Sequence, residues 1–348
     1  MNAIMTDLMA VIGVVLNGLP QGLLALAYGF ASVPTALAFF VGAIGNTVTQ
    51  SVAPISFQAE TITYAGTAGK DRSERCTMIF IGGVIMALIG ALGLLTKIVN
   101  FVGEDVAFGM MAGVGIILTK AAIDMVKSDA ISGGVSLATA LITYYFTKDS
   151  ANTLVYTIVI SVVASCIANA IFNKEKSSII VEDDKFIRQK FTINANVILG
   201  ALGMVCLNIG SNISFGGITA GMATGGNYNV DTLTVISSLA DIFGGAPVES
   251  IISATANAPH AVWAGVAMMV VIGVILLLKL LPKIGKYVPA SSIAGFLFVL
   301  GIFKTVVLDA PSALATNAAV GGTTMVVTAV TNPFLGMLAG VAAKFLGL

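Results

Sequence analysis

Ser51-Val52-Ala53-Pro54-Ile55-Ser56-Phe57-Gln58 and Gly244-Gly245-Ala246-Pro247-Val248-Glu249-Ser250 break two apolar segments in the same way. Each sets Ala-Pro inside a stretch of membrane-spanning character and follows it at once with polar residues. Proline lacks an amide N–H and fixes φ, so it suits the first turn of a helix better than its middle. Interrupted segments at matching places in two halves of a membrane chain point to a transporter's binding site.

The surroundings are those of a multi-pass membrane protein of the cell inner or plasma membrane. Of 348 residues, 57% are hydrophobic and 10% charged, with a mean hydropathy of +0.98, against about 25% charged in soluble domains. The runs Val11 to Phe30, Met78 to Leu95, Leu154 to Phe172 and Ala261 to Leu278 approach the ~20 residues that span a bilayer. The first run reads as a helix rather than a removable signal, because many spans follow it. Zero net charge and the lack of a basic face speak against nucleic acid. Cys76, Cys166 and Cys206 are scattered, and His260 and Trp263 are single. No disulfide, metal site or cofactor is expected, and an intramembrane enzyme or structural membrane protein is the weaker alternative.

The apolar runs resolve into elements near 8–30, 33–48, 52–66, 76–97, 104–123, 129–147 and 151–172, then near 194–222, 229–243, 247–258, 261–281, 286–308, 312–328 and 331–347. One long polar connection, 173–192, separates a first repeat (1–172) from a second (193–348). Val102-Gly103-Glu104-Asp105-Val106-Ala107-Phe108-Gly109 can be laid on Val288-Pro289-Ala290-Ser291-Ser292-Ile293-Ala294-Gly295. Gly109 then meets Gly295, Gly115 meets Gly301 and Thr119 meets Thr305, with Asp124 and Asp309 one residue out of register. Glycine-rich apolar sequence also aligns with itself by chance. A true repeat of seven elements, an odd number, sets the halves upside down relative to each other.

Leu239-Ala240-Asp241-Ile242-Phe243-Gly244-Gly245-Ala246-Pro247 resembles the tenth-segment Gly-Gly-x-Pro turn of the xanthine/uracil permease-type nucleobase transporters (nucleobase–cation symporter family 2). Ser56-Phe57 resembles their third-segment Ser-Phe pair, and Phe108-Gly109-Met110-Met111-Ala112-Gly113-Val114-Gly115 their fifth segment. Leu19-Pro20-Gln21-Gly22 is similar to the related sulfate permease-type anion transporters. The resemblance covers most of the chain in order. It implies an all-α membrane fold of fourteen transmembrane segments in two inverted sevens. Segments 1–4 and 8–11 would form a core domain, and 5–7 and 12–14 a gate domain. Segments 3 and 10 would each be a short extended piece followed by a short helix, with the substrate between the half-helices near the bilayer midplane.

A nucleobase is planar and carries carbonyl oxygens and ring N–H groups. Amides near Ser56 and Ser250 would donate to it, Phe57 would stack on it, and Glu249 would accept its N–H bonds or carry the coupling proton. An acid inside a membrane marks function by default. The alternatives are a partner role toward a nearby amide or cation, or a place at the membrane surface. Glu60 is a second site acid or faces the loop toward Lys70. Asp241 braces the break or joins the ion coupling. Asn46, Gln50 and Gln58 line the cavity or satisfy backbone freed by the break. The family's eighth-segment carboxylate is missing from Asn208-Ile209-Gly210-Ser211-Asn212-Ile213-Ser214-Phe215-Gly216-Gly217, and its segment-10 glutamate position falls on Ser253. The substrate-binding candidates are thus Ser56, Phe57, Gln58, Asn212, Ser214, Glu249, Ser250 and Ser253. The ion-coupling candidates are Glu60, Asp241 and Glu249. His260, beside Pro259, is a titrating group or a helix-end histidine.

The expected function is a permease for a purine or pyrimidine nucleobase or similar heterocycle, working by elevator-like alternating access with H⁺ or Na⁺ as coupling ion. Its partners would be that small molecule, the lipid bilayer and a second copy in a homodimer. The alternative is a sulfate-permease-like anion or small-solute transporter of the same fold, against which Glu249 beside the site argues. The resemblance implies cytoplasmic termini. The basic residues, concentrated at Lys70, Arg72, Arg75, 173–192 and Lys279 to Lys286, imply the opposite by the positive-inside rule.

Overall fold

The structure, a computed structural model, describes residues 3–150, 153–172, 190–223 and 225–348, without the side chains of 213 and 214. Most of the polar connection 173–192 therefore lies outside the described residues. The helices are α1 (Ala3–Ala27), α2 (Ser32–Thr49), α3 (Ala59–Ala68), α4 (Arg72–Ala91), α5 (Leu95–Val102), α6 (Glu104–Ser128), α7 (Ala130–Thr147) and α8 (Thr153–Phe172). They continue as α9 (Ala195–Met222), α10 (Val230–Asp241), α11 (Ala261–Leu277), α12 (Leu280–Gly285), α13 (Ala294–Val299), α14 (Val307–Thr316), α15 (Ala318–Val330) and α16 (Pro333–Phe345). Two three-residue strands, β1 (Ile55–Phe57) and β2 (Val248–Ser250), pair antiparallel.

Among the described residues, 8 helices are long and apolar enough to cross a membrane, and α11, α15 and α16 are shorter apolar helices. One of the 8 is Ala290–Thr316, which runs without a stop through a π-helical stretch, Leu300–Val306. The expected separation of elements 286–308 and 312–328 therefore falls later, between Thr316 and Ala318. There Asn317 leaves the helix and its side chain accepts the amides of Ala319 and Val320 as an N-cap. The first expected broken span, 52–66, becomes an extended piece, β1, followed by a short helix, α3. The second, 247–258, becomes β2 and, in place of a short helix, a single 3-10 turn, Ala254–Asn257.

The chain forms two compact units, Met1–Ile98 with Val181–Pro282, and Val99–Ile180 with Lys283–Leu348. In the first, α2 and α1 pack along α11, α4 packs between α9 and α10, and the strand pair touches α1, α2, α9 and α10. In the second, α6 lies against α13, α14 and α15, and α7 against α8 and α13.

Glycines set the closest approaches in the second unit. A Cβ on Gly115 would stand 2.6 Å from the Gly301 carbonyl oxygen, and a Cβ on Gly301 2.6 Å from that of Gly115. Gly109 lies on Gly321 and Thr324 of α15, while Gly295 lies on Ser136 and Ala140 of α7. The contact of Gly115 with Gly301 is reciprocal, the form a two-fold relation produces.

A helix-interior glycine replaced by alanine normally gains up to about 1 kcal/mol. At Gly301 the added methyl meets backbone, so Gly301→Ala should instead destabilise by about 1–3 kcal/mol. Gly134→Ala, with nothing within 4 Å of its Cβ, should be neutral or stabilising. Thermal unfolding in detergent ranks the two. A Gly301→Ala protein as stable as Gly134→Ala would exclude the close approach.

Candidate functional site

The two sequence breaks meet. Ile55 pairs with Ser250, Ser56 with Glu249 and Phe57 with Val248. Proline explains why the strands start where they do. Pro54 and Pro247 each precede a strand, having no N–H to offer a helix at that point. The extended pieces thus lie after the prolines, and Ser56, Glu249 and Ser250 sit within strands. The expected placement of Ser56 and Ser250 at half-helix N-termini is corrected accordingly: α3 begins at Ala59, and the second break reaches no α-helix until Ala261.

Irregular backbone at membrane depth needs partners from the protein, and side chains supply them. Asn46 Nδ2 donates to the carbonyls of Ala53 (2.8 Å) and Ser51 (3.4 Å). Thr35 Oγ1 accepts the Ala246 N–H at 2.8 Å. Asp241 Oδ1 accepts the Val248 N–H at 2.9 Å, bracing β2. Gln58 Nε2 donates to the Ser250 carbonyl at 2.7 Å, tying the two breaks together. Thr219 Oγ1 donates to the Ile251 carbonyl at 2.7 Å and accepts the Ser253 N–H at 3.1 Å. Gly244 holds φ at +72°, which turns the chain into the second break, and its carbonyl accepts the Cys76 thiol. Thr35 and Thr219 were not among the sequence candidates. Nothing in their local sequence marks them, because each acts on a break distant in the chain.

Several candidates are spent on structure. The Phe57 ring is buried and meets Phe39 edge-on, centroids 5.0 Å apart. Its ring edge lies against Gly22, so the ring is packed inside the protein rather than presented to a base. Ser253 caps the 3-10 turn through the Thr255 N–H and bonds the Thr255 hydroxyl at 2.6 Å. His260 pairs with Asp7 at 2.8 Å at the exposed starts of α11 and α1. Ser214 belongs to α9, and its side chain lies outside the described residues.

Other candidates retain unused hydrogen-bonding capacity. Glu249 is fully buried, and neither carboxylate oxygen has a partner in hydrogen-bond geometry. The hydroxyls of Ser211 and Thr61 stand alongside it, with Asp241 and Glu60 as neighbouring acids. Asp241 Oδ2, the Ser250 hydroxyl and Asn212 Oδ1 are likewise buried and unpartnered. Asn212 Nδ2 reaches Thr234 at 3.1 Å and Ser237 at 3.4 Å, and its carbonyl accepts the Tyr228 hydroxyl at 2.8 Å. Glu60 is buried in the first turn of α3. No lysine or arginine is buried among the described residues. The arrangement combines one helix N-terminus, orphaned oxygens and three acids without a cation. Buried polar groups without partners are rare in finished cores and common at binding sites.

Asn46→Ala would strip the first break of its side-chain donor. The expected loss is about 1–3 kcal/mol of stability. Asn46→Asp should cost more, because it sets acceptor against acceptor. If both variants unfold at the wild-type temperature, Asn46 does not hold the break.

No family model and no curated protein matches this chain. Solved structures do. The transmembrane domain of a cyanobacterium bicarbonate transporter, BicA, matches with a TM-score of 0.65 and 15% identity over 98% of each chain. The murine Solute Carrier 26 family member A9 (Slc26a9) anion transporter matches with a TM-score of 0.68 and 14% identity over 99% of this chain and 68% of that one. These likenesses overturn the expected place among xanthine/uracil permease-type transporters. The site agrees with that correction: the eighth segment has no carboxylate, Ser253 is a helix cap and Phe57 is packed away. The chain has the fold of these membrane transporters.

Proposed function

We propose that this chain is a secondary transporter of a small anion, such as bicarbonate or sulfate, coupled to a cation. The observation that carries the reading is the pairing of β1 with β2, which delivers the start of α3 directly beyond Gln58. The first amides of α3 have no helical partner, Gln58 makes no side-chain cap, and the Glu60 carboxylate bonds its own N–H. The remaining N–H groups at the positive end of a helix dipole suit an anion. The solved structures of this fold named above are a bicarbonate transporter and an anion transporter.

Glu249 beside such a site was the argument against an anion. It becomes intelligible if the anion does not travel alone. An anion added to Glu60, Asp241 and Glu249 without a buried cation would concentrate negative charge at low dielectric, which is costly. A proton or a Na⁺ that enters with the anion offsets that cost. The acids do not converge in a metal-holding group among the described residues, which favours the proton. Glu249 is the carrier in this reading, because both its oxygens are unpartnered.

The wider reading keeps fourteen segments in two inverted sevens, with the first unit as the core that carries the site and the second as the gate. Antiparallel pairing of the two breaks and the reciprocal contact of Gly115 with Gly301 support it.

Bicarbonate, sulfate and chloride, tested against neutral heterocycles, decide the substrate class. A bound anion at a hundred times its Kd should stabilise the protein by about 2.7 kcal/mol. In proteoliposomes, Glu249→Gln should keep this stabilisation but lose the stimulation of uptake by a proton gradient. Absence of both stabilisation and flux for every anion would sink the reading.

A further inference from the structure

A cavity of about 310 Å³ lies in the first unit between the end of α2 and the start of α10. Small-molecule sites occupy about 300–1,000 Å³. Thr49, Ser51, Asn227, Asn229 and Thr232 line it, and Tyr228 and Leu233 complete the wall. Asn227 and Asn229 are exposed, whereas Ser51 and Leu233 are buried. The cavity therefore runs inward from the surface.

Backbone fixes its frame. The Val52 N–H donates to the Asn227 carbonyl at 3.0 Å, and the Asn227 N–H to the Gln50 carbonyl at 2.8 Å. These bonds tie the first break to the segment ahead of α10. Gly226, at φ +92°, permits the approach, since a Cβ there would collide with the Val52 side chain. The lining is polar and carries no charged side chain. Asn229 Oδ1 accepts the Thr232 N–H, and Asn227 Nδ2 gives one hydrogen to the Thr49 carbonyl. This leaves Asn229 Nδ2, the second Asn227 Nδ2 hydrogen and the Thr232 hydroxyl as donors to an occupant.

The inner wall reaches the paired breaks. A Cβ on Gly216 of α9 would stand 3.0 Å from the Leu233 side chain, from the Tyr228 hydroxyl and from the Ser250 hydroxyl alike. Leu233 and Tyr228 belong to the cavity, while the Ser250 hydroxyl is buried and unpartnered. Space that a side chain would fill therefore joins the two. Tyr228 stands across it. The residue packs on Val52, Ala261 and Val262, and its hydroxyl donates to the Asn212 carbonyl at 2.8 Å. One neutral hydrogen bond holds that hydroxyl in place, and such a bond is readily broken.

We propose that this cavity is a second site, for a small monovalent anion, and that the anion passes between it and Ser250 along Gly216, with the Tyr228 side chain as the barrier. Neutral amide and hydroxyl donors suit an ion that can only accept, and they do not trap it as a buried cation would. The Born cost of leaving water grows with the square of the charge, so neutral donors favour a monovalent ion over a divalent one. The lining also lacks a carboxylate, and the anion gathers there before it meets Glu249. The proposal rests on the anion reading and gives that site an entrance.

The test is thiol modification of the full chain by a small anionic methanethiosulfonate, in a background of Cys76→Ser, Cys166→Ala and Cys206→Ala. Thr232→Cys reports the cavity. Chloride should slow its modification about tenfold when the site is nine-tenths filled, and sulfate at equal ionic strength should not. Ser250→Cys reports the passage. It should react, Gly216→Ala should slow that reaction about tenfold, and Tyr228→Phe should speed it about threefold. Gly216→Ala should fold, because the nearest atoms its methyl meets are side-chain ends. Gly217→Ala, whose Cβ stands 4.0 Å from the Tyr228 hydroxyl, should leave the rate unchanged. No protection by chloride, or equal protection by sulfate, overturns the proposal. So does an unreactive Ser250→Cys, or a rate indifferent to Gly216→Ala or Tyr228→Phe. Modification is read without flux. Protection of Thr232→Cys in a protein that moves no anion sinks the anion reading and keeps the cavity site, whereas anion flux with no protection does the reverse.

Discussion

Two stretches of backbone without helical hydrogen bonds have to be satisfied inside an apolar medium, and the rest of the first unit follows from that need. An unpaired amide or carbonyl at membrane depth costs several kcal/mol. The breaks meet the demand by pairing with each other and by drawing donors and acceptors from four helices. α2 supplies Thr35 and Asn46, α4 supplies Cys76, α9 supplies Thr219, and α10 supplies Asp241. Each of these side chains fixes its helix against the strands. The paired breaks are thereby held by a polar scaffold behind them, and the helices cannot shift without exposing a buried polar group.

The two breaks are chemically unequal, and the cause is visible in the residues after each strand. Ala59 to Ala68 contains no proline, so α3 propagates for 10 residues and brings its dipole to the strand pair. After β2, Ser253 caps a turn that Pro259 prevents from continuing as a helix. Only the first break offers a sustained helix N-terminus. The second contributes Glu249 and the unpartnered Ser250 hydroxyl instead. One side of the pair is therefore suited to negative charge and the other to a proton or cation, which is the division that the proposed coupled anion carrier would require.

Much of this was legible in the sequence. The paired Ala-Pro breaks marked the extended pieces that meet as β1 and β2, and Asp241 and Gln58 were singled out as residues that could brace or satisfy the broken backbone. What escaped was pairwise and distant. That Phe57 turns edge-on to Phe39, or that Thr35 serves Ala246, depends on which helices come together, and a local pattern carries no record of that. The family resemblance misled for a related reason. Short glycine-rich motifs report close packing and turns, which related folds share, whereas recognition depends on a few polar groups that differ among them. The absence of a carboxylate between Asn208 and Gly217 was the informative departure, and it pointed away from a base.

On the proposed inverted-repeat reading, the halves agree where backbone meets backbone. β1 pairs with β2, Gly115 faces Gly301, and Gly109 rests on α15 as Gly295 rests on α7. At the glycines a side chain has no room, so substitution would be blocked in both halves alike. Elsewhere the two sequences differ chemically: Glu249 stands opposite Ser56 in the strand pair, and a 3-10 turn follows β2 where a helix follows β1. A symmetric frame would let one packing solution serve two membrane faces, whereas vectorial transport would require those faces to differ. On that reading the difference falls on charged and polar side chains that the frame leaves free to vary.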